Sequence, residues 1–105
     1  MYAIAILRYR HPLEQLLPVV DAHRAYLRGL KERGVVLASG PFDPRYGGAV
    51  LFRVPDEGAL ATLDGLRDGD PFVQASLVQY EILPWALTLG AAELDVAFPP
   101  PPAAE

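Results

Sequence analysis

The chain has 105 residues, nine lysines and arginines against 13 aspartates and glutamates, and a formal charge of −4. That length supports one hydrophobic core, and the basic residues are scattered without the stripe that nucleic-acid binding requires. Cysteine is absent, which excludes a disulfide framework, a thiol nucleophile and a cysteine-ligated metal. No apolar run approaches the ~20 residues of a membrane span, and the first residues lack the segments of a signal peptide. A cytoplasmic protein that binds neither nucleic acid nor membrane is the expectation.

Tyr2 to Leu7 predicts a strand, with Tyr2, Ile4 and Ile6 on one face and Ala3, Ala5 and Leu7 on the other. Both faces are apolar, so both should be covered. Arg8-Tyr9-Arg10 leaves the sheet, and His11-Pro12 begins a connection in which Leu13 to Leu17 is loop or a first helical turn. Pro18 suits the first position of a helix running to about Arg33. Its apolar stripe is Val19, Val20, Tyr26, Leu27 and Leu30 at a 3.6-residue period. Gly34 supplies a left-handed cap, and Lys31 and Arg33 suit the negative end of the helix dipole. Val35 to Ser39 follows as a short strand, ended by Gly40-Pro41.

FDPRYGG carries turn chemistry, so the next strand, Ala49 to Val54, should close an antiparallel hairpin. Asp56 is placed to cap a second helix reaching about Arg67, with Leu60, Leu63 and Leu66 as its apolar stripe. RDGDPF breaks the pattern, and Leu77 to Leu83 is a fourth strand. The order β-α-β-β-α-β predicts an α+β, ferredoxin-like domain over residues 1–88, with both helices on one face of a four-stranded antiparallel sheet. The second sheet face is apolar and has no cover in this chain, which predicts a homodimer or higher homo-oligomer pairing face to face. Residues 89–105 form a C-terminal extension, with a helical turn at AAELD and a polyproline tail at FPPPPAAE.

His23 interrupts the apolar stripe of the first helix. A buried imidazole needs a partner, either a backbone carbonyl, as for an ordinary core histidine, or an acid. Asp70, in Gly69-Asp70-Pro71-Phe72, is a second candidate for chemistry, although Asp-Pro is also a standard helix opening. Ser39 ends a strand beside Gly40-Pro41 and could offer a hydroxyl to a ligand. No phosphate-cradling glycine loop, HExxH, nucleophile elbow or calcium loop occurs, and two histidines 12 residues apart make no metal site by spacing. The expectation is a site without cofactor or metal.

The run H-x-x-Y-L-x-x-L-x-x-x-G-x-x-L-x-x-G-P from His23 to Pro41 is followed by D-P-F from Asp70 to Phe72. A last strand then ends in Pro84-Trp85. Together these resemble the YCII-related (YciI-like) family over residues 1–85. The resemblance implies a dimeric α/β barrel whose pocket holds a histidine and an aspartate, here His23 and Asp70, with Ser39 and Phe72 as neighbours for substrate. It also implies kinship with enzymes that degrade chlorinated aromatics and, by fold, with muconolactone isomerases. The longer approach to the first helix and the tail after Trp85 depart from the simplest members.

Two functions follow as expectations. One is a small lyase or isomerase with a His23–Asp70 dyad, since a carboxylate on one ring nitrogen fixes the tautomer and makes the other a base. The alternative is a non-catalytic module that binds a small ligand as sensor or carrier. A geometric difficulty remains in sequence alone. If the two helices run parallel, Asp70 lies near the end of the first helix, whereas His23 is ten residues, or ~15 Å, before Arg33. Either the DPF segment folds back, or a partner chain supplies Asp70.

Overall fold

The computed structural model describes residues 1–100. Strands β1 (Tyr2–Tyr9), β2 (Val36–Pro41), β3 (Gly47–Arg53) and β4 (Val78–Trp85) form one antiparallel sheet in the order β2-β3-β1-β4. Helix α1 (Leu13–Glu32) joins β1 to β2, and α2 (Ala59–Asp68) with the short α3 (Pro71–Gln74) joins β3 to β4. This is the expected ferredoxin-like α+β fold. The part of the polyproline expectation at residues 101–105 lies outside the described residues.

The core forms where period 2 in the strands meets period 3.6 in the helices. Ala3, Ala5 and Leu7 of β1, Val50 and Phe52 of β3 and Val78 of β4 turn to one side of the sheet. Leu16, Val20, Leu27 and Leu30 of α1 and Leu63 of α2 pack onto them. Two fully buried alanines in the central strand let the helices approach closely, and larger residues on β3 fill the flanks.

Local expectations change in instructive ways. Helix α1 begins at Leu13, not Pro18, and Pro18 lies inside it. Leu16 is wholly buried, so core packing draws the first turn into the helix and outweighs the hydrogen bond that proline cannot make. Asp56 does not cap α2. Its carboxylate accepts the Met1 amino group at 2.6 Å, and the helix starts after a left-handed Gly58. Leu60 is 61% exposed, so the apolar stripe of α2 narrows to Ala59, Leu63 and Leu66. Gly47 and Gly48 belong to β3, and the preceding loop makes the turn without them. A Cβ on Gly47 would stand 2.0 Å from the Leu7 carbonyl oxygen, and one on Gly48 2.6 Å from that of Gly40. The strands close only because neither has a side chain.

The opposite sheet face carries Ile4 and Ile6 of β1, Leu51 of β3, and Leu83 and Trp85 of β4, the last two about half exposed. Its end near Tyr2 is covered by α4 (Ala91–Ala97). There the Tyr2 hydroxyl donates to Asp95 at 2.8 Å. Arg53 pairs with Asp95 at 3.2 Å and donates to the Phe98 carbonyl.

Leu16→Ala should cost about 2–5 kcal/mol in urea unfolding, the usual range for emptying a buried leucine site. Leu17→Ala, at a position 52% exposed, should stay within ~0.5 kcal/mol. Equal losses would place the first turn of α1 outside the core.

Candidate functional site

β1 and β2 point the same way, because each is antiparallel to β3. Helix α1 must therefore run back against them, while α2, leaving β3, runs the other way. The two helices are antiparallel, not parallel, so the end of α2 lies beside the middle of α1 and not its C-terminus. That topology removes the 15 Å difficulty within one chain. His23 Nδ1 stands 2.9 Å from Asp70 Oδ1.

Asp70 is also the helix cap its sequence suggested. The same Oδ1 accepts the Phe72 amide at 2.9 Å, with Pro71 next in the chain. The residue is 1% exposed, and Oδ2 has no hydrogen-bond partner among the described residues. A carboxylate oxygen only accepts, so a neutral ring paired in this way with an ionised Asp70 carries its proton on Nδ1 and its lone pair on Nε2. The His23 ring stacks on Phe72, with centroids 4.1 Å apart and planes 16° apart. Tyr9 meets the same Phe72 ring edge-on at 6.3 Å.

The imidazole faces a cavity of ≈190 Å³ between α1 and the sheet. His23, Phe72 and Ser39 line it, as do Tyr9, Arg24 and Arg45, and Gly47-Gly48 form part of its floor. All four residues singled out in the sequence thus meet at one place, Asp70 from behind the ring. Arg24, Arg45 and Tyr9 were not singled out. Arg24 is next to His23 in sequence and Arg45 sits in turn-like FDPRYGG, so neither interrupts a hydrophobic pattern that would have drawn notice. Among the described residues, no three His, Asp or Glu side chains come together as a metal-binding group, and no helix is long and apolar enough to cross a membrane.

Two phenols press on the Asp70 side. Tyr26, one turn beyond His23, donates to the Leu66 carbonyl at 2.8 Å and ties the last turn of α2 to α1. Gly69 permits this approach, since a Cβ there would be 2.6 Å from the Tyr26 hydroxyl oxygen. Burial pushes the Tyr26 and Tyr80 phenols above their ordinary pKa, and the negative charge of Asp70 pushes both further.

The model of the YCII-related domain matches residues 2–86. The chain belongs to the YCII-related family. Among solved structures, this YCII-related chain is similar to 5-chloro-2-hydroxyhydroquinone dehydrochlorinase from Burkholderia phenoliruptrix, in complex with 2,5-dihydroxybenzoquinone. The TM-score is 0.71 at 20% identity, over 84% of this chain and 96% of that one, a likeness of fold. No curated protein matches the chain.

The tyrosines generate a pH prediction. In the unfolded chain a phenol ionises near 10.0, whereas Tyr26 and Tyr80 resist ionisation when folded. Their stabilising contribution is complete below pH 10 and is lost as pH rises from there through the folded values. Urea unfolding between about pH 9 and 11 should show this loss, and Tyr80→Phe should reduce its slope. Asp70→Asn should bring the Tyr80 absorbance titration down towards 10.0. An unmoved titration would mean that Asp70 is not charged beside it.

Proposed function

We propose that this YCII-related chain is a small cofactor-independent enzyme, a lyase or isomerase, with residues 1–88 as its catalytic domain. His23 acts as general base and acid, and Asp70 holds the ring. The observation that carries the proposal is the pairing of Nδ1 with a buried carboxylate while the ring faces an open cavity. An ordinary core histidine would instead be sealed and bonded to a backbone carbonyl. The histidine therefore has both a fixed tautomer and somewhere to use it.

In this scheme Nε2 removes a proton from a carbon acid or hydroxyl of the substrate. The electron pair left behind forms a new double bond. In elimination a leaving group departs with its own bonding pair, and in isomerisation the protonated ring returns the proton at another atom. The ring charge created in the first step lies beside Asp70, which stabilises it electrostatically. Phe72 braces the ring from one face, and Ser39 offers a hydroxyl to substrate oxygen. An apolar cavity of ~150 Å³ holds a benzene-sized ring. The space beside His23 therefore suits a single substituted ring, which agrees in size with the dihydroxybenzoquinone bound by the dehydrochlorinase.

The assembly belongs to the same proposal. Ile4, Ile6, Leu51, Leu83 and Trp85 form an apolar strip on the face away from the helices, and a second copy pairing sheet to sheet would cover it. Light scattering at micromolar concentration should give about twice the 11.4 kDa chain mass or a higher multiple. Ile4→Glu should reduce that mass to the monomer's. A monomeric parent chain would overturn the pairing.

Proton abstraction can be tested without knowing the natural substrate. Single-ring enols and hydroxyquinones in D₂O, followed by NMR, should exchange carbon-bound hydrogen faster with the protein than without it. His23→Phe should lower this exchange ~10²–10⁴-fold while keeping the fold, since a phenyl ring can stack on Phe72 in the same way. Asp70→Asn should lower it as well while retaining most of the stability, because an amide oxygen can still accept the Phe72 N–H. Binding with no exchange in any compound would favour the sensor or carrier instead.

A further inference from the structure

Four of the nine lysines and arginines line two adjoining hollows, although the chain is net negative. Arg24 and Arg45 stand on the cavity that holds His23. Beyond Arg24, a groove of ≈430 Å³ runs between α1 and β2, lined by Arg24, Arg28 and Lys31 and reaching Ser39, which it shares with the first cavity. The spacing places these three cations on neighbouring turns of one face of α1. No aspartate or glutamate lines either hollow.

Among the described residues these cations are not paired with acids. Arg8, Arg53 and Arg67 are paired with Glu81, Asp95 and the Asp64/Asp68 pair. Among the described residues, Arg24, Arg28 and Arg45 have no carboxylate partner, and Lys31 lies over the Phe98 ring at 5.9 Å. Arg45 Nε points to the Tyr9 hydroxyl at 3.4 Å, which holds the guanidinium at the cavity wall with its terminal nitrogens unengaged. A fork of parallel N–H donors fits a carboxylate or the paired oxygens of an ionised hydroxyquinone. Asp70 is shielded behind the imidazole it binds.

Taking this cavity as the substrate site proposed above, we propose that its substrate is a single-ring organic anion. Arg24 and Arg45 bind its charged group, and the Arg28–Lys31 groove is its path of approach. A concave, one-signed surface raises the local concentration of opposite charge and speeds capture at low salt. The same clamp supports the chemistry of elimination. An acid group fixed at the arginines sets which ring carbon faces Nε2, and a cation near the ring stabilises the negative charge that proton removal creates.

The test uses matched probes and reads binding alone. 4-Hydroxybenzoate and 2,5-dihydroxybenzoate, each against its amide, are titrated into the full chain and followed at the backbone amides of Ser39, Gly48 and Phe72. The acids should give saturable shifts with Kd at or below ~10 mM, and the amides should bind at least ~10-fold more weakly. Arg24→Gln and Arg45→Gln should each weaken the acids ~10-fold and leave the amides unchanged. Arg67→Gln, an equal change in net charge on α2, should change neither. Amides that bind as well as acids would overturn the proposal. So would acids indifferent to both arginine variants, or acids that leave the cavity amides unmoved at that concentration. The outcomes separate from those of the proton-transfer reading. Clamped acids that never exchange hydrogen would sink general-base catalysis and uphold the anion site. Exchange confined to neutral rings would do the opposite.

Discussion

A single carboxylate oxygen joins the three parts of this molecule that matter to its site. Asp70 Oδ1 accepts the His23 ring from α1 and the Phe72 amide at the head of α3, and the residue itself directly follows the last turn of α2. Its burial is nearly complete, and taking a carboxylate out of water costs free energy. What offsets the cost locally is the cap, the ring contact and the stacking of His23 on Phe72. The same contacts hold the imidazole in one orientation, so a buried acid orders the candidate base.

That arrangement depends on a topological fact and three glycines. Antiparallel helices bring the end of α2 to the middle of α1, and α2, at ten residues against 20, ends level with the interior of its neighbour. Gly69 then lets the chain pass against Tyr26. On the sheet side, Gly47 and Gly48 allow β3 to approach β1 and β2 and leave room above them for a cavity. A side chain at either glycine would meet the backbone of the neighbouring strand and force the strands apart before it filled the pocket.

How much of this was legible in the chain follows from where each signal resides. Strand order, helix faces and the hairpin are carried by local periodicity, and the ferredoxin-like fold could be inferred from them. His23 was legible because a polar ring broke an apolar stripe, and Asp70 because Asp-Pro is strong local chemistry. The start of α1 was not, because Pro18 gives a local signal that the burial of Leu16 overrides. The meeting of His23 with Asp70 needed helix direction, which is set by pairing three strands and not by any one segment. Arg24 and Arg45 were invisible for a further reason. An arginine on a solvated helix face and one in a turn are ordinary in sequence, and only the tertiary fold turns both towards one hollow.

The fold shared with the dehydrochlorinase at 20% identity places a sheet and two helices, and leaves the pocket's chemistry to individual side chains. In this chain the chemistry divides between layers. The aspartate and histidine sit on the inner, packed side of α1, where motion is limited and the tautomer is held. Arg24 and Arg45 stand instead on the cavity's more exposed side. Such a division lets that side change, and with it the charge or size of what enters, without disturbing the buried pair. It also separates residues that a sequence pattern singles out, His23 and the Asp-Pro-Phe turn, from Arg24 and Arg45, which carry no pattern.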